Sequence, residues 1–337
     1  MAVSAADFRP HPLLRNRHLQ SILASSGIRR LLRRPSRPPG LHGAVEHILD
    51  CGDGVRLQGF LDRQIVREEA RGLVVVLHGW EGSAESAYVV ATAARLLREG
   101  YDVFRLNFRD HGRTHHLNPG IFHSCLIDEA VGAVAAVGRL DPQRPLAIIG
   151  FSLGGNFALR IALRAPAAGI ALAYVLAVCP VVDPMAGLFG LEAGPRLYER
   201  YFMHKWRESL RLKQAAFPDA ALFDEADLRC GLRELTRLLV LRHTTFGSLE
   251  HYLNGYSIAG RALAGLTVPT TILTAADDPV IPVADFHALE LPPQAELDIA
   301  RYGGHCAFIG DFSLRSWTED YIAERFDRHV ARAGGTA

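Results

Sequence analysis

The sequence predicts an α/β protein: a mostly parallel central sheet with helices on both faces, interrupted by a helical cap. Three observations carry that reading. Short β-branched and apolar runs alternate with helix-period segments from residue 72 to 180. The alternation stops across 181–265, a stretch rich in Arg, Glu and aromatics with no strand pattern. It then resumes to the end of the chain. Strands that are apolar on both faces require cover on both sides, which helices between parallel strands supply.

Each element follows from local pattern. "AVEHILD" and "VRLQGFLDR" flank the turn signal "CGDG" and form an antiparallel hairpin. "GLVVVLHG" is a strand, and 85–99 is a helix ended by Gly100. "YDVFRLNF" is a strand, and 124–140 is an Ala/Val-rich helix closed before Asp141 and Pro142. "PLAIIGF", the helix 153–164 and "IALAYVLAVCP" complete the first run. After the gap come "VPTTILTAADDPVIP", a helix, the strand "AELDIARY" and an amphipathic helix over 314–331. The expected organisation is an N-terminal arm (1–40), a core (41–180 and 266–337) and a helical cap inserted at 181–265. The cap would cover the C-terminal strand edge, where open α/β sheets bind ligands.

Composition narrows the function. Lys plus Arg (37) balances Asp plus Glu (36), which argues against a nucleic-acid partner. The basic stretch 29–37, "RRLLRRPSR", reads as a solvated connector, with peripheral contact to anionic lipid as its alternative. Five scattered cysteines without C-x-x-C suit reduced thiols rather than a disulfide scaffold or a zinc site. No signal-peptide core and no span of apolar residues long enough for a membrane is present, so a soluble cytoplasmic protein is expected.

The chemistry centres on "LAIIGFSLGGN". A G-x-S-x-G run between a strand and a helix is a nucleophile elbow: the chain turns sharply and Ser152 projects above the sheet. Gly150 and Gly154 remove the Cβ atoms that would clash where strand and helix cross. A neutral hydroxyl needs a base, and the base needs an orienting acid. "TAADDPVIP" supplies Asp277 and Asp278 after a strand, and "RYGGHCAF" supplies His305 on a tight loop. Asp278 is preferred because its turn runs into Pro279, with Asp277 as the alternative. The order Ser, Asp, His is that of the α/β-hydrolases. The oxyanion donors are assigned to the backbone amides of Leu153 and Trp80. His78 reads as a structural loop residue. His111, His115, His116 and His123 raise a metal site, but a loop with few paired acids reads as polar contacts, so no metal and no cofactor are expected. His123 and Asp128 form H-x-x-x-x-D, an acyl-transfer spacing of low specificity.

"FRPHPLLRNRHLQSI", "LVVVLHGWEGS", "NFRDHG", "GFSLGGN", "TFGSLEHYLNGYS", "VPTTILTAADDPVIP" and "GGHCAFIG" together resemble the YheT-like branch of the α/β-hydrolases, across nearly the whole chain. That branch includes animal ABHD-type lipid hydrolases and yeast medium-chain ester synthases/esterases. The resemblance implies Ser152 as nucleophile, Asp278 as acid and His305 as base, with carboxylester hydrolysis and sometimes alcohol acyl transfer as activities. The chain departs from the animal members in carrying no N-terminal membrane helix, and "NFRDHG" leaves the roles of Asp110 and His111 open. The expectation is a serine hydrolase of short- to medium-chain carboxylic esters, acting on a small-molecule ester without stable membrane insertion. An alcohol O-acyltransferase with the same triad is the alternative. A non-catalytic ligand-binding member of the fold is disfavoured by the intact Ser/Asp/His set.

Overall fold

The structure, a computed structural model, describes residues 4–25, 43–220 and 222–333. The basic stretch 29–37 lies outside the described residues. Eight strands form one sheet: β1 (Val45–Asp50), β2 (Arg56–Asp62), β3 (Leu73–Leu77), β4 (Asp102–Leu106), β5 (Leu146–Phe151), β6 (Leu172–Val178), β7 (Thr270–Ala275) and β8 (Ala295–Ala300). Their spatial order is β1-β2-β4-β3-β5-β6-β7-β8. The expected hairpin pairs antiparallel from Val45 opposite Leu61 to Asp50 opposite Arg56, and β2 runs antiparallel to β4. All other neighbours are parallel. The mostly parallel sheet read from the sequence is the sheet that forms.

Side chains alternate across this sheet because strand residues have a period of two. Val75, Leu77 and Ile148 point to the face covered by α3 (Ile127–Leu140) and α4 (Leu153–Arg164). Val74, Val76 and Ile149 point to the opposite face, under α2 (Ala87–Arg98) and α10 (Thr318–Ala333). These strand side chains are wholly buried, and each contributes about 1.5–3 kcal/mol by leaving water. The connections leaving β3 and β5 pass to opposite faces. A crevice opens at the C-terminal ends of these two adjacent strands, the position where such sheets place their ligands.

Between β6 and β7 lie α5 (Pro184–Ala193), α6 (Arg196–Ala216), α7 (Leu232–His243) and α8 (Leu249–Asn254). Asp183 begins this region as an N-cap, its carboxylate accepting from the Met185 and Ala186 amides, with Pro184 at the first helical position. The helices share an apolar core around Met203, Trp206, Leu210, Leu235 and Leu239. A buried ion pair joins them to the sheet: Lys213 Nζ of α6 lies 2.7 Å from Asp110 Oδ1. Asp110 Oδ2 also accepts from the Phe122 amide, so the "RDHG" aspartate anchors α6 to its loop. Removing either partner of such a buried pair would strand the other charge and be strongly destabilising.

The N-terminal segment packs onto the sheet's far end. Phe8 lies 5.9 Å from Phe308 and 5.3 Å from Trp317, ring to ring. α1 (Arg17–Ser25) follows and rests on the loop after β8. Among the described residues no helix is long and apolar enough to cross a membrane. A short helix α9 (Val283–His287) completes the described elements between β7 and β8.

Candidate active site

β5 ends at Phe151 and α4 begins at Leu153, so one residue makes the whole turn. Ser152 takes φ 53° and ψ −119°, a conformation that costs a non-glycine residue about 1–3 kcal/mol. Its amide donates to Val178 O at 2.9 Å, which ties the elbow to β6. A Cβ on Gly150 would fall inside the Gly154 carbonyl, and one on Gly154 would fall inside the carbonyls of Leu77 and His78. The glycines are needed for close approach, as the G-x-S-x-G reading requires.

Ser152 Oγ lies 2.9 Å from His305 Nε2, and His305 Nδ1 lies 2.8 Å from Asp278 Oδ2. A carboxylate only accepts, so the ring proton sits on Nδ1 and Nε2 is left to accept from the serine hydroxyl. Asp278 Oδ1 accepts from the Val280 and Ile281 amides at 2.8 and 3.0 Å, which aims the other oxygen at the ring. Asp277 does different work: its Oδ1 accepts from the Gly304 amide at 2.9 Å and shapes the histidine loop. Of the two aspartates, Asp278 is the one that meets His305. Burial alone would lower the His305 pKa. The adjacent Asp278 charge and the Cys306 thiol outweigh it and hold the pKa well above the ordinary value.

The two amides assigned as oxyanion donors lie at the same edge. The Leu153 amide opens the first turn of α4, and neither it nor the Trp80 amide donates to another described residue. Trp80 follows Gly79, where a Cβ would lie 3.2 Å from Ser152 Cβ. The Gly79 peptide is fixed on both sides: its amide donates to Tyr88 Oη at 2.9 Å and its carbonyl accepts from His78 Nδ1 at 2.8 Å. His78 Nε2 accepts from the Phe108 amide, and burial lowers this imidazole to about 4. It is a neutral loop brace.

A cavity of about 290 Å³ reaches Ser152 and His305. Leu188, Tyr198, Tyr201, Phe202 and Trp206 from the inserted helices line it, whereas Phe189 from the same stretch is 55% exposed. Trp80 stacks on Phe202 at 5.3 Å, so the residue carrying a candidate oxyanion amide also forms the pocket wall. Glu81 sits beside it with φ 55°, and burial raises its carboxyl to about 8 despite Lys205. Lys205 Nζ donates to the Glu81 carbonyl at 3.0 Å.

The residues that sequence reading did not single out come from α1. Ser21 Oγ accepts from the His305 amide at 2.9 Å, and Ser21 and Ala24 line the cavity. Buried Gln20 donates from Nε2 to the Leu14 and Ile309 carbonyls and accepts from the Ile309 amide on Oε1. Gly304 has φ 54°, and a side chain there would press on Arg17 O at 2.7 Å. The only signal for this contact was the "RNRHLQ" segment noted in the resemblance; a nine-residue amphipathic helix says nothing of where it docks.

The histidine-rich loop resolves into separate contacts. His111 Nδ1 donates to Arg109 O while Nε2 accepts from the Glu81 amide, and His115 Nε2 pairs with Ser209 Oγ. His123 packs edge-on against Phe246 and Tyr252. Asp128 is exposed in the first turn of α3, and no hydrogen bond links it to His123.

Residues 68–291 match the Hydrolase_4 family model, described as serine aminopeptidase S33. That span contains Ser152 and Asp278 and stops before His305. The chain is 28% identical over 333 residues to YheT, a candidate esterase of Escherichia coli (strain K12), covering 95% of this chain and 93% of that protein. It is 25% identical over 304 residues to the candidate esterase slr0264 of Synechocystis, covering 82% and 80%. Among solved structures, the Pyrococcus furiosus esterase Pf2001 superposes with a TM-score of 0.53 at 16% identity, covering 85% of this chain and 93% of that one. This last likeness speaks to the fold.

Proposed function

The chain belongs to the Hydrolase_4 family of α/β-hydrolases, and we propose that within it the protein is a carboxylic ester hydrolase of the YheT-like kind, acting through Ser152, His305 and Asp278. The observation that carries this reading is the unbroken hydrogen-bond relay from Ser152 Oγ through His305 to Asp278 at the mouth of an apolar cavity.

His305 Nε2 takes the hydroxyl proton as Ser152 Oγ attacks the ester carbonyl. Asp278 keeps the ring in the required tautomer and stabilises the imidazolium. Charge develops on the carbonyl oxygen, and the Leu153 and Trp80 amides are the donors assigned to receive it. The tetrahedral intermediate collapses, the alcohol leaves with the proton from His305, and an acyl-enzyme remains. Water then enters, gives its proton to His305 as it attacks the acyl carbon, and the acid is released as the acyl–Oγ bond breaks and His305 returns the proton to Ser152 Oγ. A cavity of about 290 Å³ sits at the small end of ligand pockets, which supports a short or medium acyl group. The absence of an apolar spanning helix among the described residues is compatible with a cytoplasmic site of action.

The test is labelling by a fluorophosphonate together with a graded panel of p-nitrophenyl esters. Labelling of the wild type, none of Ser152→Ala, and a rate maximum at short or medium chains are expected. An unlabelled wild type sinks the serine-hydrolase reading. Faster cleavage of aminoacyl p-nitroanilides than of any ester would replace esterase by aminopeptidase. Adding ethanol separates the acyl-transfer alternative, because hydrolysis yields the free acid and no ethyl ester.

A further inference from the structure

Two cysteines far apart in the sequence meet beside the histidine. Cys179 is the first residue after β6; its amide donates to Leu273 O at 2.7 Å and its side chain is wholly buried. Cys306 follows His305, and its Sγ reaches back to Val178 O at 3.6 Å, over the end of β6. The two Sγ atoms and a ring nitrogen of His305 all lie within 4.8 Å of one another. Among the described residues no other trio of His, Cys, Asp or Glu is gathered in this way.

We propose that Cys179, Cys306 and His305 form an inhibitory binding site for a thiophilic divalent cation of the zinc type, entered through the substrate cavity. The donor set is two sulfurs and one imidazole nitrogen, which selects zinc-like ions and rejects magnesium and calcium. Zinc holds sulfur at about 2.3 Å and imidazole nitrogen at about 2.0–2.1 Å, so tetrahedral ligand atoms stand roughly 3.5–3.8 Å apart. From atoms within 4.8 Å of one another, reaching that takes a contraction of at most about 1.3 Å. Two thiolates balance the ion's charge, each thiol giving its proton to solvent as its bond to the metal forms. His305 and Cys306 both line the cavity, which supplies the entry path and leaves the fourth vertex for water.

Inhibition follows from the histidine's commitments. One ring nitrogen faces Asp278 and the other faces Ser152. Whichever nitrogen the metal takes, one of those two hydrogen bonds is lost. This consequence rests on the reading of His305 as catalytic base; the binding itself does not.

The experiment titrates zinc into the metal-free full-length protein while following ester hydrolysis, and titrates cobalt while recording the near-ultraviolet spectrum. Hydrolysis should fall with zinc and return with EDTA, and cobalt should give a thiolate charge-transfer band. Cys179→Ala, which lies outside the cavity wall, should hydrolyse ester without metal. It should need at least about tenfold more zinc for half inhibition, a loss no smaller than that seen when a supporting residue of a metal site is removed. Should the first variant fold poorly, Cys306→Ser gives the zinc readout as inhibition relative to its own metal-free rate, because Cys306 lines the cavity. Equal zinc sensitivity in the wild type and both variants places the metal elsewhere and overturns the proposal, as does a cobalt complex without a thiolate band. The spectrum does not depend on turnover, so a band in a protein that fluorophosphonate cannot label would sink the hydrolase reading and leave the metal site standing.

Discussion

Ser152 and His305 stand 2.9 Å apart, yet different kinds of structure hold them there. The serine is held locally: by the strand before it, the helix after it, two glycines within two residues, and a hydrogen bond to the end of β6. The histidine sits on a loop whose supports come from elsewhere. Ser21 binds its amide from 284 residues away, Gln20 clamps Ile309 from 289 away, and Asp277 holds Gly304. A serine elbow can therefore be encoded in five residues, whereas the histidine that meets it depends on segments almost three hundred residues away.

Four measurements sharpen or break this contrast. The largest effect belongs to Ser152→Ala, which should lower kcat by about 10⁴-fold or more and abolish fluorophosphonate labelling, with the circular dichroism of the wild type. Residual hydrolysis near the wild-type rate would remove Ser152 from the mechanism. Next, Asp278→Asn should cost about 10⁴-fold in kcat, as expected when the orienting carboxylate of a triad is neutralised. Asp277→Asn should act mainly on the stability of the His305 loop. A larger kcat loss for Asp277→Asn would exchange the two roles.

Gln20→Ala tests the remote support. It strands the buried Ile309 amide and should lower stability by about 1–3 kcal/mol in urea unfolding. It should also slow kcat by roughly ten- to a hundredfold through misplacement of the base, with little change in KM. An unchanged kcat in the folded variant would mean that the histidine loop holds itself. The smallest effect is in the pH profile. His305 acts as a base only when neutral, and its pKa is raised by Asp278 and Cys306. Activity must then appear as pH rises through that elevated value, so the acid limb of kcat/KM should lie above the ordinary histidine value of 6.5. A limb at or below 6.5 would contradict the arrangement.

The same contrast explains what could be read before the structure. Strand period, helix breaks and the G-x-S-x-G turn are short-range signals, so the sheet, its helices and the position of Ser152 were legible. The turn into Pro279 favoured Asp278 but left Asp277 open; in the structure the amides of that turn hold one Asp278 oxygen while the other meets the ring. The docking of α1 was not legible, because Gln20 and Ser21 are ordinary polar residues until Gly304 comes against them. Nor was the pairing of Cys179 with Cys306. Each reads as an isolated thiol, and only the parallel order of β6, β7 and β8 brings the two loops together. The "RDHG" loop raised a metal because its histidines are dense, yet the rings of His111 and His115 face separate partners.

The docking of α1 has a consequence for the protein's synthesis. Residues 17–25 leave the ribosome well before the surface that receives them, which includes Gly304, His305 and Ile309, made almost three hundred residues later. Contacts of such sequence separation close late in folding. The nascent chain can build its elbow serine early, with no partner able to activate it. The histidine meets the serine only after segments made far apart in time have joined, and a chain cut short before residue 305 would lack both His305 and α10, which covers one face of the sheet.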